Sequence, residues 1–317
     1  MGRISGRAEL ERAKAKRYDP YSYESNSTQL MWLVVALAVW TVIAVSLAWQ
    51  DRATAALLVD LRDQGLTSVP PTQFSAQAIL DFAVAADIGC NSESDIAALT
   101  PECTRLIDAQ SDYSNVKGTG DFLFVLLIAT WLANMFAFGS FTHRASRNLL
   151  TLKSNGQGFS PEKGVFWFFI PVFNLVKPWQ VYRELFRGSD PAVTTDDELA
   201  WKKKGRVPAI VNVWTGIFVV VSFYNLLTIR RVWNSVRETV DDVVVAHQRL
   251  IIADILLAAL GIAAIIVVIE LHRRQEARHA LVGNITVTPP RPVDPLEEAL
   301  KEGIRRKELE NRKSRSG

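Results

Sequence analysis

Val165 to Val176 reads VFWFFIPVFNLV, twelve residues with one proline and one asparagine among them. Whether this stretch crosses a bilayer decides the topology of the whole chain. Twelve helical residues extend about 18 Å, against a hydrocarbon core of about 30 Å. Pro171 also removes a backbone donor and clashes with the turn before it, so the helical ladder breaks in mid-segment. Interrupted backbone at membrane depth is tolerated only under cover of other helices or beside water. The stretch is therefore expected to be a short proline-broken segment over 165–176, re-entrant or interfacial, and not a span.

Working outward, four longer runs do meet the length requirement of roughly 20 residues. They are 29–49, 121–141, 207–229 and 250–271, and Leu30–Trp49 (LMWLVVALAVWTVIAVSLAW) carries no charge at all. The last run holds only Asp254 near one end and Glu270 near the other, within reach of water or headgroups. Trp32 and Trp49 bracket the first run as interfacial aromatics do. The chain is 49% hydrophobic with a mean hydropathy of only +0.10, so the clustering carries the reading, not the average. Four core helices of a large soluble protein are the alternative, and uncharged runs of this length argue against it. The expected fold is an all-α integral membrane protein with four transmembrane helices, the broken segment and a small helical extracytoplasmic domain.

Charge supports four crossings. With both termini cytoplasmic, 1–28, 142–206 and 272–317 face one side and hold six, eleven and eleven Lys plus Arg, while 50–120 and 230–249 hold four each. If 165–176 crossed as well, fourteen would lie inside and twenty-two outside. Basic residues favour the cytoplasmic face, so a multi-pass protein of the cell membrane with cytoplasmic N- and C-termini is expected. Arg230 and Arg231 stand on the other side as exceptions. Ser46-Leu47-Ala48 offers a signal-peptide cleavage site, but the apolar run is longer than such a segment needs, which favours an anchor.

The 50–120 block carries ten acidic residues and four basic ones. Leu57, Leu58 and Leu61 share a helical face before Gly65, and Ile79, Phe82, Ala83 and Ala86 form the stripe of a second helix over 74–88. The two cysteines, Cys90 and Cys103, both lie here. On an oxidising side they read as a disulfide, with free thiols or a redox sensor as alternatives. Residues 230–249 read as an amphipathic extracytoplasmic helix, its seam made by Trp233, Val236, Val240, Val243, His247 and Leu250. His247 on that seam reads as a packed core histidine.

The densest functional candidate is the cytoplasmic elbow, 142–206. Its residues of interest are Arg144, Arg147, Asn148, Pro171, Asn174, Lys177, Pro178, Arg183 and Glu184. Ser160-Pro161-Glu162 is a helix start, and Lys177–Arg187 is amphipathic, with Trp179, Val181, Tyr182, Leu185 and Phe186 on its apolar side. One reading is an interfacial collar that snorkels to anionic headgroups. The other is a broken-helix site in which Asn174 faces Asn134 on the second span and Asn212 or Asn225 on the third. Such asparagines are also ordinary interhelical glue.

RASRNLLTL, followed by SPEKGVFWFFIPVFNLVKPWQVYRELFRGS, resembles the bacterial membrane domain-of-unknown-function family numbered 4328. Arg144, Arg147, Asn148, Ser160, Pro161, Pro171, Asn174, Leu175, Pro178 and Glu184 match its pattern by position, and Phe141 stands where that pattern has Trp. The resemblance is specific over 141–190 and extends through the fourth span, leaving the cysteine-bearing block and the basic tail as additions. It implies a multi-pass membrane protein and no particular activity.

Residues 1–28 and 272–317 are basic tails. Asp294-Pro295-Leu296-Glu297 starts a charged helix supported by the pairs Glu297/Lys301 and Glu302/Arg306. No phosphate loop, nucleophile elbow or zinc motif occurs, and His143, His247, His272 and His279 have no ligand spacing. Neither cofactor, metal nor nucleic acid is expected. No catalytic constellation stands in the sequence, and the large outer block and the lack of buried charge point to a scaffold or regulatory protein acting through anionic lipid and a protein partner, a homo-oligomer included, and not to an enzyme. The rivals are a small-solute channel or transporter at Pro171 and Asn174, and an enzyme acting on lipid.

Overall fold

The computed structural model describes residues 22–193, 199–234 and 239–287. The basic stretch 1–21 and the expected helix after Asp294 lie outside these residues, as does Val236 of the proposed seam. Residues 24–283 form one compact unit, and all that follows concerns it. Within 24–283 the secondary structure is helical, apart from an isolated antiparallel bridge between Ser68 and Thr239.

Helix α1 (Ser27–Asp63) contains the first apolar run and continues past Trp49 without a break. It ends at Gly65, whose φ of +94° allows Leu66 N–H to reach back to Leu61 O. Helix α2 (Ala76–Ala85) is capped by Ser75 and buries Ile79, Phe82 and Ala83, the expected stripe. A short α3 (Glu93–Ala97), capped by Ser92, leads into α4 (Pro101–Thr151), 51 residues that run through the second apolar stretch. Cys90 and Cys103 form a disulfide with Cα atoms 5.2 Å apart, joining the segment before α3 to the first turn of α4. Both sulfurs sit in a cluster with Leu61, Leu66, Phe82 and Leu106. This disulfide module is built directly on the ends of α1 and α4.

The elbow follows as α5 (Pro161–Phe166), a 3-10 turn (Trp167–Phe169), α6 (Pro171–Asn174) and α7 (Lys177–Gly188). The break falls at Ile170, which is extended (φ −98°, ψ 111°) because a residue before proline is pushed out of the helical region. No piece of 165–176 is long enough to span a bilayer. A short α8 (Ala200–Lys204) precedes α9 (Ala209–Asn234) and α10 (Val240–Val282).

Two expectations are corrected here. The proposed helix across 230–249 is interrupted at Thr239, which is extended (φ −116°, ψ 154°), and α10 starts afresh there, the Thr239 side chain accepting Asp242 N–H at 3.3 Å. A threonine cap three residues before aspartate is a stop in the ladder that the apolar spacing did not register. The apolar side of α7 is not a lipid-facing collar either. Tyr182 and Phe186 are fully buried with Phe141, Trp214, Val267 and Leu271, at the junction of α4, α9 and α10.

Four helices, α1, α4, α9 and α10, are long and apolar enough to cross a membrane. Their outward faces are hydrocarbon: Val35, Val39, Val42 and Val45 on α1, and Ile252, Ile255, Ile262 and Ile266 on α10, are all exposed. Water would penalise such stripes and lipid would not. The chain is a multi-pass membrane protein.

Candidate functional site

The elbow motif works first as a clamp. Arg144 and Asn148 lie one turn apart on α4. Asn148 amide nitrogen donates to Glu24 O at 2.8 Å and its oxygen accepts Glu24 N–H at 3.4 Å. Arg144 Nη1 meets the Glu24 carboxylate at 2.6 Å. Gln275 of α10 completes the grip by accepting from Asn26 and donating to Ala145 O, each at 2.9 Å. Arg147, between the two clamp residues, is exposed. Replacing Asn148 with leucine leaves the Glu24 backbone without these partners, a loss of about 2 kcal/mol. A cysteine at Ser25 should then react with a membrane-impermeant maleimide several-fold faster than in the parent chain, and an unchanged rate would refute the clamp.

A second junction was invisible in the sequence. Arg278, 4% exposed, donates to Leu152 O at 2.9 Å and to Asp190 O at 2.7 Å. It thereby satisfies a carbonyl at the C-terminus of α4, where the helix dipole favours a cation. Asp190 in turn accepts Arg206 N–H at 2.7 Å, tying the two sides of the elbow together. Arginine in a basic tail carries no signal of such burial.

The remaining elbow residues divide between two places. Arg183, Glu184, Arg187 and Lys202 line an open cleft. Glu184 accepts Gly158 N–H with both oxygens, at 2.9 and 3.1 Å. Burial pushes its carboxyl above the usual range, while the Gly158 and Phe159 N–H groups and Lys202 act the other way. Arg183 stacks on Trp179 at 4.4 Å, and Arg187 Nε is buried without a partner. Lys177 lies over the Phe159 and Trp167 rings at 5.6 and 5.5 Å, and Pro178 beside it is buried. Arg144 and Arg147 do not line the cleft, so the elbow residues of interest are not gathered at one place.

Asn174 and Asn134 do come together, lining one cavity of about 160 Å³ inside the bundle with Trp40, Phe138 and Trp214. Asn212 is elsewhere, accepting from Trp179 Nε1 at 3.0 Å, and Asn225 does not line the cavity. Pro171 begins α6 and so sets the turn that carries Asn174.

A third cluster gives His247, on the seam of α10, its partner. His247 Nδ1 lies 2.8 Å from Asp51 Oδ1, and the Asp254 carboxyl group lies beside that of Asp51. Asp254 is 7% exposed. The three side chains join α1 to α10 at the level where α1 leaves its apolar run. Among the described residues no group of His, Cys, Asp and Glu is arranged to hold a metal ion.

Compared with known families, residues 114–273 match the sequence model of a family described as Domain of unknown function (DUF4328). The chain belongs to that family. No curated protein and no solved structure matches it. The DUF4328 match begins in α4 beyond the disulfide module and ends in α10. It therefore takes in the clamp residues Arg144 and Asn148, the whole elbow, and both cavity asparagines. Helix α1, the disulfide and Arg278 fall outside it, so Asn134 and Asn174 belong to the DUF4328 segment whereas their neighbour Trp40 does not.

Proposed function

We propose that this protein is a membrane scaffold or regulatory protein that acts by contact and not by catalysis. The observation that carries this reading is continuity: α1 and α4 run unbroken from their apolar stretches into the disulfide module. A load on the module is thus transmitted to the bundle with no flexible linker between. Phe74, Val84 and Leu99 are exposed on the module, 61%, 79% and 64% respectively, and supply an apolar surface for a protein partner or a second copy. In this reading the module is extracytoplasmic and both termini are cytoplasmic in the cell membrane, as the bias of basic residues favours. The 165–176 segment is re-entrant. The Arg183, Arg187 and Lys202 cleft rests against anionic headgroups, supported by the unpaired Arg187 Nε.

A photo-crosslinking residue at Val84 in native membranes should capture one defined partner, and Phe74→Glu should reduce that capture about tenfold without altering the thermal midpoint. A reporter fused after Gly317 should be active only in the cytoplasm. An exterior signal from that fusion would overturn the topology. Failure to capture any partner, together with solute flux in proteoliposomes that Asn174→Ala abolishes, would favour the channel or transporter reading, which the shared cavity of Asn134 and Asn174 supports.

A further inference from the structure

Asp51, His247 and Asp254 meet where α1 leaves its apolar run, and the proposed scaffold role makes no use of their charges. His247 Nδ1 lies 2.8 Å from Asp51 Oδ1, and the two side chains are 19% and 14% exposed. Asp254 follows His247 by seven residues on α10, two helical turns, so both stand on the face turned to α1. Its carboxyl group lies beside that of Asp51 and is withdrawn from solvent.

The surrounding helices supply no countercharge to the second carboxyl group. On α4 this level is marked by Gln50, whose amide donates to Val116 O, and the charged residues nearby, Lys117 and Asp121, pair with each other. The side chain that α9 brings is a phenol, Tyr224, whose hydroxyl donates to Arg249 O at 3.2 Å. Arg52 follows Asp51, and Arg249 follows His247 by two residues. Among the described residues, however, no arginine or lysine forms an ion pair with Asp51 or Asp254.

One imidazolium balances one carboxylate. With a proton on the other carboxyl group the cluster is neutral. Without that proton, or without the one on the imidazole, a negative charge stands uncompensated in the seam between two helices. Such a charge is costly there, because it is desolvated and its repulsion is poorly screened. The contact of α1 with α10 is therefore favoured while the protons are bound and weakened as they leave. Groups in contact exchange protons as a unit and not singly. Helix α1 then runs from Asp51 into the disulfide module without a break, so the cluster sits at the root of that module.

We propose that Asp51, His247 and Asp254 form a proton-binding site that fastens the module end of α1 to α10, and that rising pH loosens it. The site acts whether or not the module engages a partner.

The test is amide hydrogen exchange of the full chain in nanodiscs at about pH 6 and about pH 8, an interval in which histidines commonly change charge, with rates corrected for the intrinsic effect of pH. One proton linked to opening shifts the opening equilibrium by up to about tenfold per pH unit, so protection over 50–56 and 246–254 should fall at least about tenfold across the interval. Protection over α2 should stay constant. Asp254→Asn combined with His247→Gln leaves one carboxyl group with no partner to share a proton, and protection should then hold within about twofold. If the double variant does not fold, Asp254→Asn alone takes its place and should cut the parent's change at least about threefold. A parent chain whose protection ignores pH overturns the proposal. So does a fall of the parent's size in the folded variant, or an equal fall over α2, which would mean global unfolding.

Discussion

Gly261→Ala lowers the unfolding midpoint of the bundle by an amount equivalent to about 2 kcal/mol, and Gly261→Leu prevents a folded protein from accumulating. The reason lies at the crossing of α10 over α1. A Cβ at Gly261 would stand 2.2 Å from Thr41 Oγ1 and 3.2 Å from the Trp40 ring. Neither neighbour yields easily. Thr41 is β-branched and its hydroxyl donates to Leu37 O at 2.7 Å, while Trp40 is 6% exposed. Within lipid no hydrophobic gain offsets a lost fit, because the helices are held by close packing itself. Thr41→Ala combined with Gly261→Ala should recover at least half of the loss, whereas Thr41→Ser, which keeps the oxygen, should recover little. Denaturation in mixed micelles measures both. An unchanged midpoint in Gly261→Ala would show that α1 and α10 do not pack at this glycine.

Removal of the disulfide, by Cys90→Ala with Cys103→Ala, should cost the module about 3 kcal/mol and spare the membrane helices. Both cysteines are buried, 1% and 0% exposed, inside the cluster that α2 contributes to. Their loss releases the loop constraint and also leaves small voids in that cluster. Hydrogen exchange should therefore rise over α2 and α3 and stay low over the span portions of α1 and α10. A mild reductant should act slowly on the parent chain, since the buried bond is reached only after the module opens. Unaltered protection of α2 in the double variant would mean that apolar packing alone holds the module.

Much of the helical layout was legible in the residues themselves. Leu30–Trp49 is uncharged for a bilayer's thickness, Pro171 stops a helix locally, and Ser160-Pro161 starts one; each is a short-range effect. The two cysteines could be paired because there were only two. The stop at Thr239 was missed because apolar spacing continues across it, although the cap was there to be read in Thr239-x-x-Asp242. The burial of the α7 face against α4, α9 and α10 was not legible, because one amphipathic stripe looks the same whether lipid or protein covers it.

Sequence alone determined where the chain can cross a membrane and where its helices break, because hydrocarbon thickness and backbone sterics act over a few consecutive residues. It also placed Arg144, Asn148 and Asn174 among the residues of interest. Only the tertiary structure decided their partners. Asn148 holds Glu24, Asp51 reaches both His247 and Asp254, and Arg278 closes the end of α4, in pairs separated by more than a hundred residues. Such pairings depend on how each helix is rotated about its axis and where it crosses its neighbours. No local period encodes that rotation; the packing of small residues such as Gly261 against Thr41 does.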